Sequence, residues 1–259
     1  MAVDEALMDA ARGGRAVLRL YRWDPPCLSF GRNQRADGRY DVEDARRQGI
    51  DLVRRPTGGR AVYHHRELTY SVTAPAGAWG GLRESYRRIN GALLLGVQRL
   101  GARAREAGRS GARAPGPGTR ACFRDPLPGE ITAGGRKLIG SAQWRDRGAL
   151  LQHGSLLLHD DQAVAERLRL GGGVDGAAET PGVGAEEAAG EEASPVRAAS
   201  LSELLGLEPS VDALAAALRE GFAEAFGLPV EPAPDGVPDP ERVRQLEEAY
   251  RDPAWTWRR

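Results

Sequence analysis

Apolar residues recur at three- and four-residue spacing through Leu82, Tyr86, Ile89, Leu93, Val97 and Leu100, which predicts an amphipathic helix over 82–100. Leu214, Leu218, Phe222 and Phe226 mark one face of a second helix over 211–226, with Ser210 as its cap. Val243, Leu246 and Tyr250 mark a third, with Asp239 as cap and Pro240 at the first helical position. At the start, Val3, Leu7 and Met8 oppose Asp4, Glu5 and Asp9, so 1–11 reads as a helix. A short helix fits 42–48, and another ends within 166–170. Strand patterns cover 16–21 and 27–30, separated by Trp23-Asp24-Pro25-Pro26 as strand, turn, strand. Residues 51–53 and the alternating run 67–73 read as further strands. Between 121 and 158, short apolar runs alternate with glycine turns, as in a strand meander.

Two stretches break the pattern. Residues 103–118 are rich in Gly, Ala, Arg and Pro and read as a loop. Residues 171–194 are Gly, Ala and Glu with almost nothing to bury, and read as a disordered linker. The expected organisation is a core over 1–170, a Gly/Ala/Glu-rich segment over 171–200, and helices in 201–259 packed back on the core. Strands gathered in the middle with helices at intervals favour an α+β fold, with a mixed, largely antiparallel sheet flanked by helices.

Composition narrows the function. At 259 residues, 41% hydrophobic and 28% charged, the chain is ordinary globular protein. Lys plus Arg is 36 and Asp plus Glu is 36, so the basic excess of a nucleic-acid binder is missing. No apolar run is long enough for a membrane span, and no secretory leader opens the chain. Cys27 and Cys122 are too few for a disulfide framework, so a reducing, cytoplasmic setting is expected. Lys137 is the single lysine, and every other basic residue is arginine. A lone lysine in an arginine-using chain stands where a compact ammonium with a movable proton serves and a fixed guanidinium does not.

Three segments carry candidate chemistry. Arg54-Arg55-Pro56-Thr57-Gly58-Gly59 is a tight turn whose amides can meet a carbonyl or an anion. Arg54 and Arg55 can hold a carboxylate or a phosphate there, or simply pair with Asp51. Gly134-Gly135 delivers Lys137 onto the apolar strand Leu138-Ile139, and Gly140-Ser141-Ala142 then lets a ligand or backbone approach. A lysine on a buried strand needs an anionic partner or must lose its proton. Cys122 lies between Arg120 and Arg124, whose charge favours the thiolate, whereas Cys27 follows Pro25-Pro26 and reads as core. His64 and His65 are adjacent, so a strand would send them to opposite faces. His153 fits either a reactive centre or a packing role, and no histidine spacing suggests a metal site.

Together these residues resemble the biotin/lipoate protein ligase and transferase superfamily. RRPTGGRAVYHHRELTYS from Arg54 and GGRKLIGSAQWRDRGALLQHGSLLL from Gly134 resemble its signatures. The opening MAVDEAL, the segment YRWDPPCLSFGRNQ from Tyr21 and the closing EEAYRDPAWTWRR are similar as well. Ala121-Cys122-Phe123 resembles the cysteine segment of octanoyltransferases, which carry an acyl group as a thioester; the ATP-dependent ligases use an acyl-adenylate. Departures are His64-His65 where the family has His-Asp, and Gly129-Glu130 where it has an aromatic-Glu pair. A strand usually precedes the first helix, so a late start or a trimmed edge strand is expected.

The resemblance implies Cys122 and Lys137 as catalytic residues. It also implies substrate contacts from Arg54, Arg55, Gly58, Gly59, His64, Gly140, Ser141, Ala142 and His153. It implies no cofactor, a monomer, octanoyl-acyl carrier protein as donor, and a lipoyl domain or glycine-cleavage H protein as acceptor. Arg87, Arg88 and Arg136 are expected to steer these acidic partners. An ATP-dependent lipoate or octanoate ligase is the alternative, with Lys137 and the Arg-Gly-Gly turn holding an acyl-adenylate.

Overall fold

The computed structural model describes residues 1–108, 123, 126–170 and 197–258. Cys122, most of the 103–118 loop and all of the 171–194 segment therefore lie outside the described residues. The first helix, α1 (Ala2–Arg12), leads into β1 (Val17–Tyr21) and β2 (Cys27–Phe30). Then come α2 (Val42–Arg47), β3 (Asp51–Arg54), β4 (Val62–His64) and β5 (Glu67–Pro75). The long helix α3 (Leu82–Arg99) precedes β6 (Arg105–Glu106), β7 (Ile131–Ala133), β8 (Arg136–Asp146) and β9 (Ala149–Leu157). Helices α4 (Ala163–Arg167), α5 (Leu201–Leu205), α6 (Val211–Phe226), α7 (Pro240–Arg251) and α8 (Pro253–Thr256) complete the described chain. The caps are those expected: Ser210 Oγ accepts from Ala213 N, and Asp239 from Glu241 N.

Two sheets form. The larger has the order β1-β5-β9-β8-β7-β6 and is antiparallel throughout. The smaller, β3-β2-β4, joins β2 to β3 in parallel and to β4 in antiparallel fashion. The expected strand, turn, strand unit over 16–30 thus supplies both strands but does not pair them. Every residue of β2 is buried, so β2 is covered on both faces and belongs in the middle of a sheet. β1 is half-buried and edges the other sheet. β4, α5 and α8 went unpredicted because three to five residues carry too little pattern to register.

The main core lies between the large sheet and the pair α3 and α6, with Tyr70, Ile89, Leu93, Leu138, Leu156, Leu214 and Leu218 buried. A second cluster, around Leu28, Phe30, Tyr40 and Tyr63, supports the small sheet. α7 packs on α1, so the C-terminal helices close over both halves of the molecule. No helix among the described residues is long and apolar enough to cross a membrane.

Candidate active site

A cleft opens between the two sheets, with a cavity volume of about 50 Å³. Its walls come from the Arg55–Gly59 turn and β4 on one side, and from β5, β8 and β9 on the other. Tyr21, Trp23, Val62, Phe123 and Ala142 give it an apolar lining, while Arg55, His64, Ser141, His153 and Ser155 supply polar groups.

Lys137 sits at the base of β8 and is 2% exposed. Its Nζ donates to Glu130 Oε1 at 2.7 Å and lies 5.1 Å from the centroid of the Phe123 ring. The requirement for an anionic partner is thereby met from the loop before β7. Sequence reasoning noted Glu130 only as part of a departure, although a buried lysine demands a nearby acid. Gly140 makes room for this arrangement: a Cβ there would stand 2.9 Å from Phe123 Cζ and 3.2 Å from Lys137 Cε. Gly140, Ser141 and Ala142 all line the cleft. The Ser141 hydroxyl accepts from Tyr70 at 2.7 Å and donates to Asn90 at 3.3 Å.

The arginine turn splits into two jobs. Arg55 lines the cleft and donates to Ser29 O, Ser29 Oγ, Gly58 O and Arg60 O. Its guanidinium holds the glycine turn closed, and Gly59 adopts φ +98° within it, a value that favours glycine. Arg54 does not join the cleft, which corrects its expected role as a substrate contact. It is wholly buried, and its donors go to the carbonyls of Gly31, Arg32, Gln34, Thr256 and Arg258. Side chains alternate along a strand end, so the first arginine turns into the protein while the second faces the cleft.

His64, the last residue of β4, is buried, and His65, just past the strand, is exposed. His64 Nδ1 bonds Glu67 Oε1 at 2.7 Å and Nε2 bonds Ser29 Oγ at 2.7 Å, while Trp23 stacks on the ring at 4.6 Å. Both nitrogens are engaged inward, so His64 offers the cleft a fixed ring edge. His153 is held likewise, by Thr57 Oγ1 at 2.6 Å and by Asp4 Oδ2 at 3.6 Å. Burial pushes His153 below its ordinary value against the pull of Asp4, so the imidazole is neutral near pH 7. Burial alone would raise the Asp4 carboxyl. The bond to His153 and nearby positive charge, Arg19 at 2.7 Å included, hold it instead well below the usual carboxylate range. Tyr21 and Ser71 also donate to Asp4. Pattern analysis had placed Asp4 on the polar face of a helix, since nothing local reveals that a sheet covers that face.

Cys27 is buried in β2, and burial pushes its thiol far up, as expected of a core cysteine. No cluster of metal-ligating side chains occurs among the described residues. Of the arginines expected to steer partners, Arg87 is exposed, Arg88 lies over the Phe226 ring, and Arg136 is paired with Glu203.

A glycine turn and a glycine-containing strand line one cleft between the two sheets, with a buried lysine on that same strand. The chain belongs to the family of the lipoyl protein ligase A/B catalytic domain, whose model matches residues 1–223. It is 42% identical over 270 residues to octanoyltransferase LipM of Kyrpidia tusciae, covering 100% of this chain and 94% of that one. With octanoyltransferase LipM of Symbiobacterium thermophilum the identity is 38% over 267 residues, covering 100% and 93%. Among solved structures, lipoate-protein ligase A bound with ATP shares the fold at a TM-score of 0.75 and 24% identity, covering 99% of this chain and 92% of that one. A bipartite lipoate protein ligase of Thermoplasma acidophilum, described with its lipoyl domain, gives 0.73 and 24%, covering 99% and 89%.

Proposed function

We propose that this chain moves an octanoyl group from an acyl carrier protein to a lysine of a lipoyl domain, with Cys122 as the transient acyl carrier. The chain is an acyltransferase, and octanoyl transfer in lipoate biosynthesis rests on relatives of that activity matched along the whole of this chain and 93–94% of their own length. The observation that supports the route is the buried Lys137 beside Phe123, on the strand whose Gly140, Ser141 and Ala142 line the cleft.

The Cys122 thiolate attacks the donor's thioester carbonyl. A new C–S bond forms, the carrier's C–S bond breaks, and the carrier sulfur leaves and takes up the proton Cys122 gave up. The neutral acceptor amine then attacks the acyl-cysteine. Its C–N bond forms as the Cys122 C–S bond breaks, and the proton on nitrogen passes to the departing sulfur. The first exchange is thioester for thioester and needs no nucleotide. Lys137 beside the carbonyl serves both steps, and the Gly58-Gly59 turn and the cleft lining of Gly140, Ser141 and Ala142 hold the acyl group. Arg55, His64 and His153 fix the walls. A reduced cysteine nucleophile fits a cytoplasmic setting.

The test mixes the protein with octanoyl-acyl carrier protein and a lipoyl domain, without ATP. Octanoylated lipoyl domain from the unaltered chain and none from Cys122→Ser supports the route. Product that requires ATP and free octanoate overturns it.

A further inference from the structure

We propose that Glu67 is a positioning residue for the cleft: from behind its wall, Glu67 fixes the His64 ring in one tautomer and the Trp23 indole in one orientation. The consequence for acyl choice rests on the transfer reading above, since both rings line the space assigned there to the acyl group.

Glu67 opens β5 and is 1% exposed. Strand alternation sends Leu68, Tyr70 and Val72 into the main core and puts Glu67 on the opposite face with Thr69, which lines the cleft. Four cleft-lining side chains converge on this one acid. Thr69 Oγ1 donates to Glu67 Oε1 at 2.5 Å, Ser155 Oγ donates to it at 2.9 Å, and His64 Nδ1 bonds it at 2.7 Å. Trp23 joins through Thr69, whose Oγ1 accepts from the indole Nε1 at 2.8 Å. The indole and imidazole rings also stack, with centroids 4.6 Å apart and planes 21° apart. Both rings are thus tied to the same carboxylate oxygen and to each other. The partners come from both sheets, Thr69 and Ser155 from the large one and His64 from the small one, so Oε1 also joins the two walls. Oε2 has no partner among the described residues, and the whole task falls on Oε1. A carboxylate is the acceptor suited to gathering several donors at one point.

Donor and acceptor matching then assigns the proton of His64. Ser29 is wholly buried; its Oγ accepts from Arg55 Nη1 at 2.9 Å and meets His64 Nε2 at 2.7 Å. Among the described residues, Nε2 is the acceptor that the Ser29 hydroxyl proton can reach. Nε2 therefore accepts, and the ring carries its proton on Nδ1, where Glu67 Oε1 receives it. A proton on Nε2 would leave the buried Ser29 hydroxyl without an acceptor, which is costly away from water. Glu67 and Ser29 thus hold the ring from its two nitrogens and leave its carbon edge for the cleft.

The test is NMR of the full chain labelled with ¹⁵N-histidine, near pH 7, with the His64 signals assigned by their loss in His64→Gln. The unaltered chain should show His64 protonated on Nδ1 alone, with that proton far downfield, as a bond to a carboxylate requires. Glu67→Gln keeps an acceptor oxygen without the charge, so the proton should move part of the way upfield. Glu67→Met keeps the length without the acceptor, and the downfield proton should vanish. A proton on Nε2 in the unaltered chain, or an unmoved Nδ1 proton in a folded Glu67→Met, overturns the proposal. If Glu67→Met fails to fold, the unaltered chain and Glu67→Gln decide it, by the tautomer of the one and the shift of the other. In transfer assays, Glu67→Met should cut the preference for octanoyl over butanoyl donors about tenfold, mainly through KM for the octanoyl donor, and Glu67→Gln should keep most of it. An unchanged preference in a folded Glu67→Met overturns the positioning role. The proton signals need no acyl substrate, so the expected signals in a protein that takes no octanoyl group would refute the transfer route alone.

Discussion

At the scale of single residues, the cleft depends on groups whose hydrogen-bonding capacity is already spent inward. Lys137 differs in kind, a buried charge paired with Glu130 at 2.7 Å. Replacing it by Arg keeps the charge but adds a planar fork where Gly140 leaves space only for a slim stem. Lys137→Arg should lower the transfer rate on the order of 100-fold, in line with the loss of one oxyanion-stabilising group. Steady-state rates on a folded variant check this, and near-normal rates would show that charge alone suffices. The Asp4–His153 pair makes a separate prediction about acid. Burial lowers His153 from 6.5, so the unfolded chain binds a proton there that the folded chain refuses, and stability falls as pH drops below about 6.5. Asp4 is depressed below 3.8, which adds a second loss on the acid side of that value. Calorimetry should show Tm falling between pH 7 and pH 5, with a shallower fall in His153→Asn. A flat profile in the unaltered chain would contradict the neutral assignment.

At the scale of elements, amphipathic periodicity placed the long helices well, because three or more turns repeat one signal. The match at α6 is residue for residue, 211–226. β4 failed for the opposite reason, and the partner of β2 was not legible because local sequence shows strand character but not which edge is free. Arg54 and Arg55 look equivalent in sequence, and only the backbone direction at the end of β3 separates them. Lys137 stood out through motif and rarity, whereas Asp4, Asn90 and Trp23 did not, since each acts through contacts far along the chain; Glu130 is near in sequence, but nothing local marks it as the lysine's partner. Packing of α3 on α6 gives an element-level test. A Cβ at Gly221 would lie 2.5 Å from both Ala92 O and Gly96 N. Gly221→Ala should therefore force the helices apart and cost about 1–3 kcal/mol, with little change in the transfer rate. Urea unfolding measures it, and an unchanged midpoint would mean that the helices already sit apart.

At the scale of the whole molecule, the C-terminal tail closes what the first strands begin. Trp255 donates to Arg54 O, and Arg54 returns bonds to Thr256 O and Arg258 O. The tail thus anchors the far end of the strand that carries the arginine turn, and the small sheet cannot shift without it. On the proposed route the acyl chain lies in the cleft between the two sheets, which then sets the acyl preference. At about 0.8 kcal/mol per methylene, octanoyl should exceed butanoyl by about 3 kcal/mol, roughly two orders of magnitude in kcat/KM. Comparison of the two carrier-bound donors tests this, and equal rates would place the acyl chain outside the cleft.

The central claim is that Cys122 holds the acyl group in transit. The direct measurement is the intact mass of the protein after mixing with octanoyl-acyl carrier protein alone, followed by peptide mapping of Cys27 and Cys122. The account predicts a gain of one octanoyl group on the Cys122 peptide, released by hydroxylamine and missing in Cys122→Ser. A folded protein that gains no mass, or gains it on another residue, would contradict it.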